Sequence, residues 1–172
     1  MDKARGILKF AMRMEQDAQQ FYTYYEDKLK APELKQLFGS LAAVEQKHYE
    51  LVRDQYEAMG GSNAPKDISW SVGSDFAAKD PGVLAENADL LGDTETGMSD
   101  LMVIRLAFLI EGEFEEFYRS ALQQVTEGEA AKVLEQLAGW EHEHKEYFEK
   151  QYRSLLKKNW EEAASIILPD TM

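Results

Sequence analysis

The feature that most constrains this chain is a match between its own halves. Adding 96 to a residue number pairs Ala11 with Ala107, Glu15 with Glu111, and Phe21-Tyr22 with Phe117-Tyr118. It also pairs Leu41-Ala42 with Leu137-Ala138, Glu45 with Glu141, His48 with His144, and Gln55-Tyr56 with Gln151-Tyr152. The register does not slip within the matched stretches. A chain of this kind is two copies of one unit joined by a linker.

The unit is a helical hairpin. Apolar residues recur at helical spacing over four stretches. The first runs from about Lys3 to Lys30, with Leu8, Ala11, Glu15, Ala18, Tyr22, Tyr25 and Leu29 on one stripe. The second begins at Pro32, where a missing N–H costs nothing, and ends before Gly60-Gly61. Its inner face carries Leu34, Leu37, Leu41, Glu45, His48, Val52 and Tyr56. The third starts after Ser99 as a candidate N-cap and reads Leu101, Ile104, Phe108, Glu111, Tyr118, Leu122 and Val125. The fourth reads Val133, Leu137, Glu141, His144, Phe148 and Leu155. These assignments give a single domain over 1–172: hairpin 3–59, linker 60–98, hairpin 99–158 and tail 159–172. The linker holds Pro65, Pro81 and several glycines, with room for a short helix around Val83–Leu91. So long a connection is expected if the second and third helices run parallel and the chain must travel back along a bundle. The tail has an apolar patch, Ala163 to Leu168, suited to packing on the bundle or on a second subunit.

A repeat kept for packing alone would match apolar positions. This one also matches acids and histidines on the apolar stripes. The chain has only three histidines, and two of them fall on matched positions, each three residues after a matched glutamate. No lysine or arginine shares these stripes near Glu15, Glu45, His48, Glu111, Glu141 or His144. An unpaired buried carboxylate costs several kcal/mol, on the order of 3–5, so it must hold a proton or a cation. Residues at i and i+3 project together, so Glu45/His48 and Glu141/His144 each form a two-pronged ligand. One such motif is weak evidence for a metal. Two at a fixed offset, each matched with an inward glutamate from another helix, form the donor set of ferritin-like di-iron and di-manganese bundles. The expected fold is therefore an all-α, ferritin-like four-helix bundle with a long crossover between helices 2 and 3.

Four carboxylates balance two divalent cations. Carboxylate oxygen and imidazole nitrogen suit iron or manganese; zinc is compatible with the same ligands. With no cysteine in the chain, thiolate zinc sites, iron–sulfur clusters and disulfides are excluded. A net charge of −13 argues against nucleic acid and anionic membrane surfaces as partners. The most apolar run, Leu101 to Ile110, contains Arg105 and is too short to span a bilayer. The N-terminus leads into an amphipathic stretch and not a signal-type apolar core, so a cytoplasmic location is expected. A homodimer is the expected assembly, since two-fold dimers are commonest, and the linker is long enough for hairpins to exchange between subunits.

On these residues the chain resembles the rubrerythrin-like branch of the ferritin-like superfamily. Phe10-Ala11 through Glu15 to Phe21-Tyr22 is similar to that branch's first helix, and Leu41-Ala42-Ala43-Val44-Glu45-Gln46-Lys47-His48 to its second. The resemblance implies a di-iron centre that reduces hydrogen peroxide or dioxygen, as in defence against oxidative stress. It implies Glu45 and Glu141 as bridging ligands, Glu15 and Glu111 as terminal ligands, and His48 and His144 capping one metal each. Two departures stand out. Rubrerythrins proper carry a cysteine-ligated iron site that delivers electrons; here a separate donor, rubredoxin-like or a flavoprotein, is required. Rubrerythrins also carry an additional glutamate where this chain has Phe114, with Glu115 one residue further as a candidate substitute. The six remaining ligands are similar to those of bacterioferritins, which brings in ferroxidase activity and iron storage as an alternative. A metal that merely stabilises a helical interaction module is a third reading. Tyr22 and Tyr118 lie two turns beyond Glu15 and Glu111, roughly 10 Å along the helix. They are therefore expected as core tyrosines with bonded hydroxyls near the site and not as ligands.

Overall fold

The computed structural model describes residues 2–62 and 98–167. Most of the linker, including the expected short helix around Val83–Leu91, lies outside the described residues, as do the side chains of the apolar patch Ala163 to Leu168. The described residues form four helices and no strand: α1 (Asp2–Glu26), α2 (Pro32–Ala58), α3 (Met98–Leu122) and α4 (Glu129–Ile167). α1 packs along α2 and α3 along α4, and the two hairpins meet where α2 faces α4 and α1 faces α3.

The core follows the repeat. Leu8 and Ile104, Ala11 and Ala107, Tyr22 and Tyr118, Phe38 and Leu134, and Val52 and Phe148 are all offset by 96 and all fully buried. Burying a side chain such as Phe38 contributes roughly 1.5–3 kcal/mol. All seven residues of the first stripe are buried, six on α1 and Leu29 in the turn that follows it. On the other helices the phase slips by one residue in places. Phe38 is buried where Leu37 was expected, Ala107 rather than Phe108, and Leu134 rather than Val133. In each case two apolar neighbours compete for one inward position, and periodicity alone does not choose between them.

Two helix ends differ from expectation. The described part of α3 begins at Met98, one residue before the expected start at Ser99. The buried acid at that end is Asp100, whose two carboxylate oxygens accept the backbone N–H groups of Lys30 and Ala31, each at 2.9 Å. It thereby ties the α1–α2 turn to α3 and satisfies donors ahead of α2, where Ala31 offers no side-chain cap. The tail is the second difference. Residues 159–167 continue α4, since no proline or glycine interrupts them before Pro169 and Lys157 pairs with Glu161 one turn on. At the far end of α2, Gly60 takes φ +78°, and Gly61 N–H returns to the Tyr56 carbonyl at 3.0 Å. Only glycine enters that left-handed turn without strain.

The direction of the helices follows from cross-bundle contacts. Tyr22 on α1 bonds Glu111 on α3, while Glu15, earlier on α1, bonds Tyr118, later on α3. α1 and α3 are therefore antiparallel. By the same reasoning His48 beside Glu141 and Glu45 beside His144 make α2 and α4 antiparallel. With α1 and α2 joined by a short turn, α2 and α3 run the same way. The end of α2 and the start of α3 therefore lie about the length of a 25-residue helix apart, about 38 Å.

Candidate metal centre

Each helix delivers one carboxylate to the bundle's centre: Glu15 from α1, Glu45 from α2, Glu111 from α3 and Glu141 from α4, none more than 1% exposed. α2 and α4 add His48 and His144 one turn after their glutamates. The donors sort into two groups. Glu15, Glu45, His48 and Glu141 bring ligand atoms within 4.8 Å of one another, and so do Glu45, Glu111, Glu141 and His144.

Glu45 and Glu141 belong to both groups, and their oxygens divide between them. His48 Nδ1 lies 3.1 Å from Glu45 Oε2, 3.2 Å from Glu141 Oε1 and 3.5 Å from Glu15 Oε2. His144 Nδ1 lies 3.6 Å from Glu45 Oε1, 3.5 Å from Glu141 Oε2 and 3.4 Å from Glu111 Oε2. Donors about 2.1 Å from a common ion sit about 3.0–3.4 Å from one another. The donor spacing therefore suits an ion in each group.

Hydrogen bonding points the same way. Oε2 of Glu15, Oε1 of Glu45, Oε2 of Glu111, both Glu141 oxygens and Nδ1 of His144 are buried with no properly directed hydrogen bond. The remaining oxygens of the outer pair are taken. The Tyr22 hydroxyl donates to Glu111 Oε1 and the Tyr118 hydroxyl to Glu15 Oε1, across the bundle and with the symmetry of the repeat. Burial, and then the charge of the facing glutamate, pushes both phenols well above their usual range, so they stay protonated as donors. Tyr22 is held in turn by Phe38 at 5.1 Å and Phe148 at 6.0 Å between ring centres.

Without metal the cluster gathers protons. Burial, and then the charge of Glu141, raises the Glu15 carboxyl and brings that of Glu111 up to about 8. Burial lifts Glu45 well above the ordinary carboxylate range despite the nearby His48. Burial also opposes charge on Glu141, but the adjoining His144 and His48 prevail and bring it down to about 2. The imidazolium forms are disfavoured by burial and rescued by the carboxylates around them: His48 is pushed up to about 12 and His144 to about 10. A cation would displace these protons.

Two residues beside the donors have contacts that their sequence positions did not show. Glu115, the candidate substitute for a missing glutamate, belongs to neither group of donors. Its Oε1 accepts from Arg119 Nε at 2.9 Å and faces His142 Nδ1 at 3.0 Å, and its Oε2 accepts from Lys145 Nζ at 2.9 Å. Three cationic or basic side chains hold it between α3 and α4, away from the donors, and it is as buried as its neighbour Phe114, each 7% exposed. Trp140 packs against the core and lies flat on the His48 ring, centroids 4.7 Å apart and planes 5° from parallel. Its place one residue before Glu141 in the sequence carried no sign of this contact.

Buried carboxylates and imidazoles converging from four helices mark a ferritin-like metal-binding bundle. Residues 6–152 match the rubrerythrin family, and the chain belongs to that family. No curated protein matches the sequence. Among solved structures, a hypothetical protein from Pyrococcus furiosus is similar, with 25% identity, 90% of each chain covered and a TM-score of 0.67. None of the described helices is long and apolar enough to cross a membrane.

Proposed function

We propose that the protein is a di-iron oxidoreductase that reduces hydrogen peroxide or dioxygen with electrons from a separate donor. The observation that carries this reading is the division of Glu45 and Glu141 oxygens between the two donor groups. In this reading Glu45 and Glu141 would help to hold both of two iron ions, Glu15 and His48 would complete one position, and Glu111 and His144 would complete the other. When bound, two ferrous ions would supply two electrons, which with two protons from solvent take hydrogen peroxide to two waters or dioxygen to hydrogen peroxide. Each group offers three carboxylates and one imidazole, fewer donors than an octahedral ion accepts, which leaves room for a small oxidant. A site serving only to hold the bundle together would be closed.

The chain's own residues set the conditions for that chemistry. Tyr118 and Tyr22 each fix one oxygen of Glu15 and Glu111, turning the other toward the centre. The surrounding core, from Met12 and Phe38 to Phe148, excludes bulk water and keeps the electrostatics strong. Because the chain contains no cysteine, the reductant is a second protein or a small molecule.

The test is to add excess Fe²⁺ to metal-free protein in air, desalt it and count iron. A plateau at two per chain, abolished by Glu45→Ala or His144→Ala, followed by peroxide turnover with an added reductant, is the expected outcome. Retention far above two would instead assign the protein to iron storage. Two irons held without peroxide or dioxygen consumption would leave only a structural site.

A further inference from the structure

The repeat makes the two halves of the centre near copies, so a mismatch beside the donors stands out. The offset of 96 pairs His48 with His144 and Glu45 with Glu141, but it pairs Trp140 with Val44. Trp140 stacks face to face on His48. The side chain of His48 is 5% exposed and that of His144 is 19% exposed. The carboxylates do not account for this difference. All four are fully buried, and each outer one is held by a tyrosine of the opposite half in the same way.

Building on the two-metal reading above, we propose that Trp140 seals the His48 position, so that metal ions and small ligands enter and leave the centre at the His144 position. A bound ion departs as its protein donors are exchanged for water one by one. For an imidazole that exchange requires the ring to swing away. The His48 ring has the indole on it at 4.7 Å and the His144 ring at 5.7 Å, and water scarcely reaches it. The His144 ring has a wetted edge and, in the register of the repeat, only a valine where His48 has tryptophan. The two positions therefore share the same donor types but differ in kinetic access, and the difference resides in one side chain.

Zinc suits the test, because it binds the same donor types without redox chemistry. Metal-free protein is loaded with Zn²⁺, freed of excess, and mixed with a large excess of a colorimetric chelator. Two equivalents per chain should leave in two equal phases. The rates should differ by about tenfold, the ratio an aromatic pair's contact energy supports. Trp140→Val, which copies the other half, should bring the slow phase up to the fast one. Val44→Trp should slow the fast phase, and helical circular dichroism verifies the fold of both variants. If Trp140→Val does not fold, the wild type and Val44→Trp still decide.

A single phase in the wild type, or phases that neither substitution moves, would overturn the proposal. Two equivalents released in a single phase would leave the two-metal reading intact. Fewer than two equivalents held would overturn both.

Discussion

At the residue scale, the centre sets burial against charge. Glu111 rises from 4.5 to about 8 on folding without metal, and His48 and His144 rise from 6.5 to about 12 and about 10. A group raised on folding contributes stability that is complete below its unfolded value and disappears as the pH climbs through the folded one. The metal-free protein should therefore lose stability from about pH 4.5 to 8 through Glu111, and further from about 6.5 upward through the histidines. Glu141, lowered to about 2, has the opposite sign, but its window lies between 4.5 and 2. Thermal melts of the metal-free protein should thus show a midpoint falling between about pH 5 and about pH 9, with the metal-loaded protein much less affected. A rising midpoint in the metal-free protein would contradict this account. The tyrosines give a second residue-scale prediction. Tyr22→Phe removes the donor to a buried Glu111 oxygen and should weaken Zn²⁺ affinity about 10–100-fold, the usual cost of losing a group that orients a metal ligand. Titration of metal-free protein against a competing chelator measures it, and Tyr118→Phe should behave alike, as the symmetry of the two contacts requires.

At the scale of elements, what holds the hairpins in register is partly polar. Asp100 at the start of α3 accepts two backbone N–H groups from the α1–α2 turn, 69 and 70 residues away in sequence. Asp100→Ala would leave Lys30 and Ala31 N–H unsatisfied in a part-buried turn and should cost about 1–3 kcal/mol in urea unfolding. Hydrogen exchange at those two amides should speed up before exchange in the middle of α2 does. Little in the chain's pattern hints at this contact, because Ser99 next to it fits a capping pattern better and the partner is a backbone far along the chain. The periodic interiors were far more legible. Every residue of the first stripe is buried, and where an apolar neighbour also turns inward, as Met12 does beside Ala11 and Phe21 beside Tyr22, both are buried. Leu37 beside Phe38 and Phe108 beside Ala107 show where that logic fails: the larger-scale fit of helix against helix picks the neighbour.

For the molecule as a whole, the centre couples metal to fold. Empty, it confines four carboxylates in the core; filled, it crosslinks all four helices. Metal that binds only the folded state stabilises it by about 2.7 kcal/mol at a hundredfold excess over the dissociation constant. For a chain of this size that raises the melting midpoint by about 5–10 °C. Calorimetry with Zn²⁺ against a chelator checks this, and Glu45→Ala/Glu141→Ala should remove the increment. The convergence of the six donors could be read from the sequence, since a fixed offset between two Glu-x-x-His motifs leaves few other bundles. The stack of Trp140 on His48 and the capture of Glu115 by Lys145, Arg119 and His142 could not, because each depends on which side of a helix faces a different helix.

Neither donor group comes from one hairpin: Glu141 completes the group of His48, and Glu45 completes that of His144. A gene half as long, encoding one hairpin that pairs with itself, would make the same six-donor set, but with both positions identical by symmetry. No substitution could then alter one without altering the other. Joining the copies end to end removes that restriction, and a lone tryptophan opposite a valine is the kind of divergence only a fused gene can record.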